Sequence, residues 1–362
     1  MKKLLALFIA LLSLSVSQKS YAQNPADVDF TILTDELLGG VFYPSLAVWN
    51  ASNEDPSDVF YSFFLNAPSA RSVIRITIEE TTLNQQTIIQ EVASEAGEMV
   101  VYPVIKWKYD ELTRLSQGGS TTMTCILEID GKEIDRINYV IKYCSINECV
   151  YGMFDEDEEW VDISEMFSLY VNEDYPQIDN ILQEILAVDR DRQFLDYQGD
   201  AQDFVNQLVW VWEYFSNRGT RYSNVVNTST VSENVGSQYV RFIDQVINNV
   251  QANCVDGSVI LASIYRKIGL DPYLIFVPGH CFLAVGYPQE LDMGEYGSTD
   301  EEGGVVLIET TLMGDNTDHI TSFNEAIEVI TYDELNKRIE EDEYYVVNIE
   351  EARMAGYMPI KR

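Results

Sequence analysis

The sequence predicts two domains, an N-terminal all-β sandwich followed by an α+β domain, and three observations lead there. From about Asp27 to Tyr151, short segments rich in β-branched and aromatic residues follow one another between polar or glycine-containing breaks. After Trp160 the apolar residues fall instead at the three- and four-residue intervals of helices. Behind those helices come three more strand-like segments, an order that predicts helices packed on an antiparallel sheet. The 362 residues suffice for two domains of ordinary size.

The chain opens MKKLLALFIALLSLSVSQKSYAQ. Lys2 and Lys3 precede an apolar run from Leu4 to Leu14, and the small residues Ser20 and Ala22 stand just before Gln23. This is the pattern of a secretory signal, so residues 1–22 are expected to be removed and the mature protein to begin at Gln23, in a periplasm or outside the cell. No later apolar stretch is long enough to span a bilayer, and no membrane span is expected. The 23 Lys and Arg residues face 59 Asp and Glu, a formal charge of −36. Nucleic acid and anionic membrane surfaces are therefore poor partners. The run FDEDEEW, residues 154 to 160, lacks the glycine turn and ligand alternation of a calcium loop and reads as solvated charge.

The β domain is expected over residues 23–151. VFYPSLAVWN, DVFYSFFLN, VIRITIEE, MVVYPVIKW and TMTCILEI are its strand candidates. Ile74, Ile76 and Ile78 alternate with Arg75, Thr77 and Glu79, as in a half-buried strand, and Asp130-Gly131 turns one strand back on the next. Strands at this spacing suggest an immunoglobulin-like sandwich, and nothing in them looks catalytic. The five cysteines, at 125, 144, 149, 254 and 281, are an odd number for an oxidising compartment. Cys144 and Cys149 flank the short turn SINE at a strand end and are expected to be joined. The Asp130-Gly131 turn sets Cys125 opposite residues near Ile137, away from Cys144.

Residues 152–199 are expected as an acidic linker and helical arm, with Ile178, Ile181, Leu182, Ile185 and Leu186 on one helical face after Pro176. Residues 200–362 form the second domain. Phe204, Leu208, Val211, Trp212 and Phe215 mark one helix, and Tyr239, Phe242, Ile243, Val246 and Ile247 another. A third begins at NCVDG. Asn253 is a good N-cap and Asp256 stands where a capping-box acid belongs, while Val259, Ala262, Ile264 and Ile268 keep helical spacing until Gly269. DPYLIFVP, HCFLAVGY and VVLIET follow as strands, the last two separated by a polar loop at 288–304 that is either a cover over a site or an insertion.

Cys254 thus falls in the first turn of a helix, where backbone N–H groups and the helix dipole favour an anion and can lower a thiol pKa. Taken alone, a cysteine there is more often a small buried hydrophobe. Nucleophilic catalysis needs a base beside it and an acceptor to orient that base. The chain has two histidines. His319 lies in the polar stretch GDNTDHITS and reads as a surface-loop residue, whereas His280 opens the strand HCFLAVGY. Alternation sets His280, Phe282 and Ala284 on one face and Cys281 on the other, which argues against Cys281 sharing a site with Cys254. Glu309, in VVLIETTL, is an acid in an apolar strand and the candidate orienting group. Its plain alternative is a strand-end acid reaching solvent, since Thr310 and Thr311 signal the strand end.

NCVDG, PGHCFLAVG and LIETT in this order, with YVRFIDQ ahead of the cysteine, resemble a bacterial secreted branch of the transglutaminase-like superfamily, over roughly Met166 to Glu350. The resemblance implies a papain-like cysteine protease type of fold, with Cys254 as nucleophile, His280 as base and Glu309, in place of the commoner aspartate, as orienting acid. It also implies an oxyanion donor upstream of the cysteine, for which Gln238 and Gln251 are candidates beside the Cys254 N–H. The activity implied is acyl transfer or hydrolysis at amide bonds of a peptide or protein substrate, with no cofactor. The alternative is a catalytically inactive surface or binding protein on the same scaffold. A zinc site from Cys254, His280, Cys281 and Glu309 fails on alternation and on the lack of close-spaced ligand pairs.

Overall fold

The computed structural model describes residues 28–34, 38–51, 60–155, 159–224, 232–297, 301–314 and 318–362. The expected signal segment 1–22 and the mature start at Gln23 lie outside them. The chain divides into two compact units: residues 1–164 with 228–239, and residues 165–227 with 240–361. The expected linker and arm, 152–199, is accordingly split between the two, and the stretch 228–239 leaves the second unit to join the first.

The β-rich unit carries a five-stranded sheet ordered Val41–Phe42, Lys132–Tyr143, Gly119–Ile129, Val73–Ile78, Thr87–Val92. Ile74, Ile76 and Ile78 are buried and their alternate neighbours are not, because side chains of one strand point to opposite faces. Asp130 and Gly131 have φ of 52° and 79°, the left-handed pair that a tight hairpin requires, and the register sets Cys125 opposite Ile137. A three-stranded sheet, Thr31–Thr34, Tyr61–Ala67 and Gly97–Val101, buries Phe63 and Leu65. Tyr61 and Tyr139 meet edge to face between the two sheets, ring centroids 6.0 Å apart. A third sheet sets Glu148–Phe154 between Trp160–Asp162 and Val235–Tyr239.

VFYPSLAVWN is a strand only at Val41–Phe42. Pro44 then opens the helix Pro44–Asn50, since its fixed φ suits a first helical position, and Ser45, Leu46 and Ala47 are buried. The expected Cys144–Cys149 disulfide is absent: both sulfurs are buried thiols. Cys144 follows the last strand residue of the five-stranded sheet, while Cys149 lies in the other, three-stranded sheet with Gln238 opposite it. The turn between them is closed by its own backbone bond, Glu148 N to Ser145 O at 3.1 Å. Burial raises the Cys144 thiol to about 12 and pushes the Cys149 thiol well above its usual value.

The second unit is α+β. Its five-stranded antiparallel sheet is ordered Ile327–Thr331, Gly304–Ile308, His280–Tyr287, Asp271–Val277, Tyr345–Asn348. The helix Ala201–Asn217 buries Phe204, Leu208, Val211, Trp212 and Phe215, the face its spacing predicts. Pro176–Val188 buries Ile178, Ile181 and Ile185, but Leu186 is exposed. The helix expected across Tyr239 to Ile247 is shorter, Ile243–Asn249, because Tyr239 is held in the strand Val235–Tyr239 and Val250, at φ 54°, ends the turn. His319 is not a loop residue. It begins the helix His319–Ala326, with Nε2 3.7 Å from Glu213 Oε1. In the polar loop, Leu291 and Met293 are buried.

Candidate active site

Asn253 caps the helix Cys254–Lys267 in the reciprocal way its sequence predicts. The Asp256 amide donates to Asn253 Oδ1 at 2.8 Å and the Asn253 amide to Asp256 Oδ2 at 2.9 Å. Cys254 is therefore the first helical residue, and it is half-buried. Its thiol accepts from the backbone amides of Cys281, Val255 and Cys254 itself. The expected lowering of its pKa does not result. Burial is the largest influence and raises the thiol, the three amides oppose it, and the Asp256 charge adds to the rise. At neutral pH the residue rests as a thiol.

His280 is the first residue of its strand, and Glu309 follows the last residue of the neighbouring strand, Gly304–Ile308. The register that sets Leu283 opposite Ile308 makes His280 and Glu309 diagonal neighbours on one face. His280 Nε2 and Glu309 Oε2 are 2.6 Å apart. The other carboxylate oxygen, Oε1, accepts from the Thr311 amide at 3.0 Å and from Thr311 Oγ1 at 2.6 Å. A carboxylate can only accept, so Nε2 carries a proton. In the neutral ring this pairing selects the tautomer that leaves the lone pair on Nδ1. Hydrogen bonds to the Cys254 thiol come from amides and none from the imidazole. The chain itself links the two, since the amide donating to the thiol belongs to Cys281, the residue after His280.

Cys281 is thus at the site after all. Its side chain does face away from that of His280, but its thiol bonds to Ser258 and feels the charges of Cys254 and Glu309. The cysteine helix lies against this strand, on the side Cys281 faces, which alternation within one strand cannot reveal. Ser258 Oγ and Thr310 Oγ1 both donate to the Cys254 carbonyl, at 2.8 and 3.2 Å.

The two glutamine candidates differ. Gln238 belongs to the β-rich unit, where its Nε2 donates to Tyr239 O at 3.0 Å. Gln251 is exposed in the short strand Gln251–Ala252, parallel to Arg221–Tyr222. Tyr222, opposite Ala252, was not singled out by the sequence, where RYSN carries no motif. Its half-exposed phenol is raised first by partial burial and then by the charges of Cys254 and Glu309. The Thr310 and Thr311 hydroxyls were legible only as strand-end marks, although a threonine two residues after an acid is a known local hydrogen-bonding pattern.

Among the described residues, no group of three or more His, Cys, Asp or Glu is arranged to hold a metal ion, and no helix is long and apolar enough to cross a membrane. No protein-family model matches the chain, and no curated protein matches it in sequence.

Proposed function

We propose that the protein is an exported, transglutaminase-like cysteine enzyme, carried on an α+β domain behind an immunoglobulin-like one, that performs acyl transfer or hydrolysis on amide bonds. The observation that carries this reading is the His280–Glu309 pair at 2.6 Å, with Glu309 itself held by Thr311, on a strand whose next residue, Cys281, meets the thiol of a cysteine at the start of a capped helix. A carboxylate that fixes one imidazole nitrogen so that the other serves as base is an arrangement with a catalytic use.

In the reaction, His280 Nδ1 takes the Cys254 proton as sulfur attacks the amide carbonyl, forming a C–S bond. The oxyanion lies at the helix start, where the Cys254 and Val255 amides point. His280 then returns the proton to the leaving amine as the C–N bond breaks. Water or a second amine resolves the thioester. Because the thiol is raised and the imidazole is not bonded to it, the proton moves during attack rather than before substrate arrives.

That same observation favours a second reading, a binding protein in which the triad residues persist without turnover. Hydroxylamine distinguishes the two. As a strong amine acceptor it converts any acyl-enzyme to a hydroxamate, so incubation with a broad peptide mixture should yield peptide hydroxamates with the wild type and none with Cys254→Ala. No hydroxamate from the wild type across that mixture would favour the binding reading.

A further inference from the structure

We infer that Arg241 is a positioning residue for Cys254, acting through Asp256. This rests on the catalytic reading of Cys254. Arg241 belongs to the stretch YVRFIDQ, and its role is set by what it meets fifteen residues further on, inside the capping box of the cysteine helix. The Arg241 amide donates to Asp256 Oδ1 at 2.7 Å and its Nη1 to Asp256 Oδ2 at 2.6 Å, and the Asn253 amide adds the third bond. Asp256 is fully buried and Arg241 is 8% exposed. All three neighbours donate, so the hydrogen bonding suits the ionised carboxylate.

Asp256 therefore does two things with opposite consequences for Cys254. It satisfies an orphan amide and fixes the helix start, and it sets a negative charge two residues from a sulfur that must become negative. The guanidinium resolves the conflict, since it keeps the cap and cancels the charge. The remaining ionisable groups whose charges meet that of the thiol are Cys281, one residue after His280 on the strand, and Tyr222 from its short strand, and both of these also feel Glu309 beyond the neighbouring strand. Of the charges among these and the cap, the Arg241 guanidinium is the cation bonded to the helix that carries Cys254.

The test is the rate of Cys254 alkylation by iodoacetamide against pH, with modification at Cys254 verified by peptide mapping and folding by circular dichroism. The other four thiols are buried, so Cys254 is the site read. Arg241→Met should slow alkylation at pH 7 by about tenfold, the effect of one unpaired charge nearby. If that variant does not fold, Arg241→Gln, which still offers donors to Asp256 without charge, should give the same direction. Asp256→Asn should speed the reaction by a similar factor. Arg241→Lys and the double variant Arg241→Met/Asp256→Asn should each return to within about twofold of the wild type. Folded Arg241 variants that react like the wild type, or a slowing that the double variant does not relieve, would overturn the inference. His280→Ala is the separate control: if it leaves the wild-type profile unchanged, the catalytic reading fails while the Arg241 and Asp256 comparison still stands or falls on its own readout.

Discussion

Among the described residues each unit buries one carboxylate, and the two are treated differently. In the β-rich unit Glu148 is 3% exposed, Ser237 bonds to its side chain, and Oε2 has no hydrogen-bond partner. Burial raises it to about 7. In the α+β unit Asp256 is also pushed up by burial, but both oxygens are occupied, by Arg241 and by two amides. A buried acid without a cation is a cost to the fold that depends on pH. One with a cation and amide donors is a fixed point from which a helix start can be positioned.

The sharpest test of that contrast is to neutralise each acid. Asp256→Asn removes the carboxylate that balances the buried Arg241 charge and should destabilise the protein by about 3 kcal/mol or more, read from denaturant unfolding. Glu148→Gln should do the opposite at neutral and alkaline pH. Because the folded carboxyl is raised to about 7, its contribution is intact below the ordinary carboxylate range and is lost as pH climbs toward 7. The wild type should therefore lose about 3 kcal/mol over that interval through this group, and Glu148→Gln should remove that slope. A steeper slope in the variant would contradict the assignment.

Two smaller changes probe the site side of the comparison. Alanine normally suits a helix better than glycine. At Gly257, however, an added Cβ would lie 2.9 Å from Thr310 Cβ and Oγ1, and Thr310 donates to the Cys254 carbonyl. Gly257→Ala should cost about 1–2 kcal/mol of stability and reduce hydroxamate formation, rather than stabilise the helix. Thr311→Val keeps the amide bond to Glu309 and loses the hydroxyl one. A loss of about 1 kcal/mol, seen as a several-fold fall in turnover with unfolding nearly unchanged, is expected.

The parts of this arrangement that were legible in the sequence are those with a local cause. The capping box at Asn253 and Asp256, the Asp130-Gly131 turn and the strand that His280 opens are each written within a few residues. What was not legible depends on how elements meet. Nothing local shows that the cysteine helix lies on the face of the sheet that Cys281 points into, and burial there reverses the pKa direction that a helix start alone implies. The Cys144–Cys149 pairing failed for the same reason, since a six-residue span joins two different sheets. Arg241 stood in the quoted run YVRFIDQ, yet its bond to Asp256 is a tertiary contact.

The central claim is that His280 acts on Cys254. It is tested most directly by alkylation rate against pH for the wild type and His280→Ala. The account predicts a base-assisted component at neutral pH in the wild type that His280→Ala lacks, leaving the variant to react only as pH climbs above the ordinary thiol value, since burial has raised Cys254. Superimposable profiles for the two proteins would contradict it.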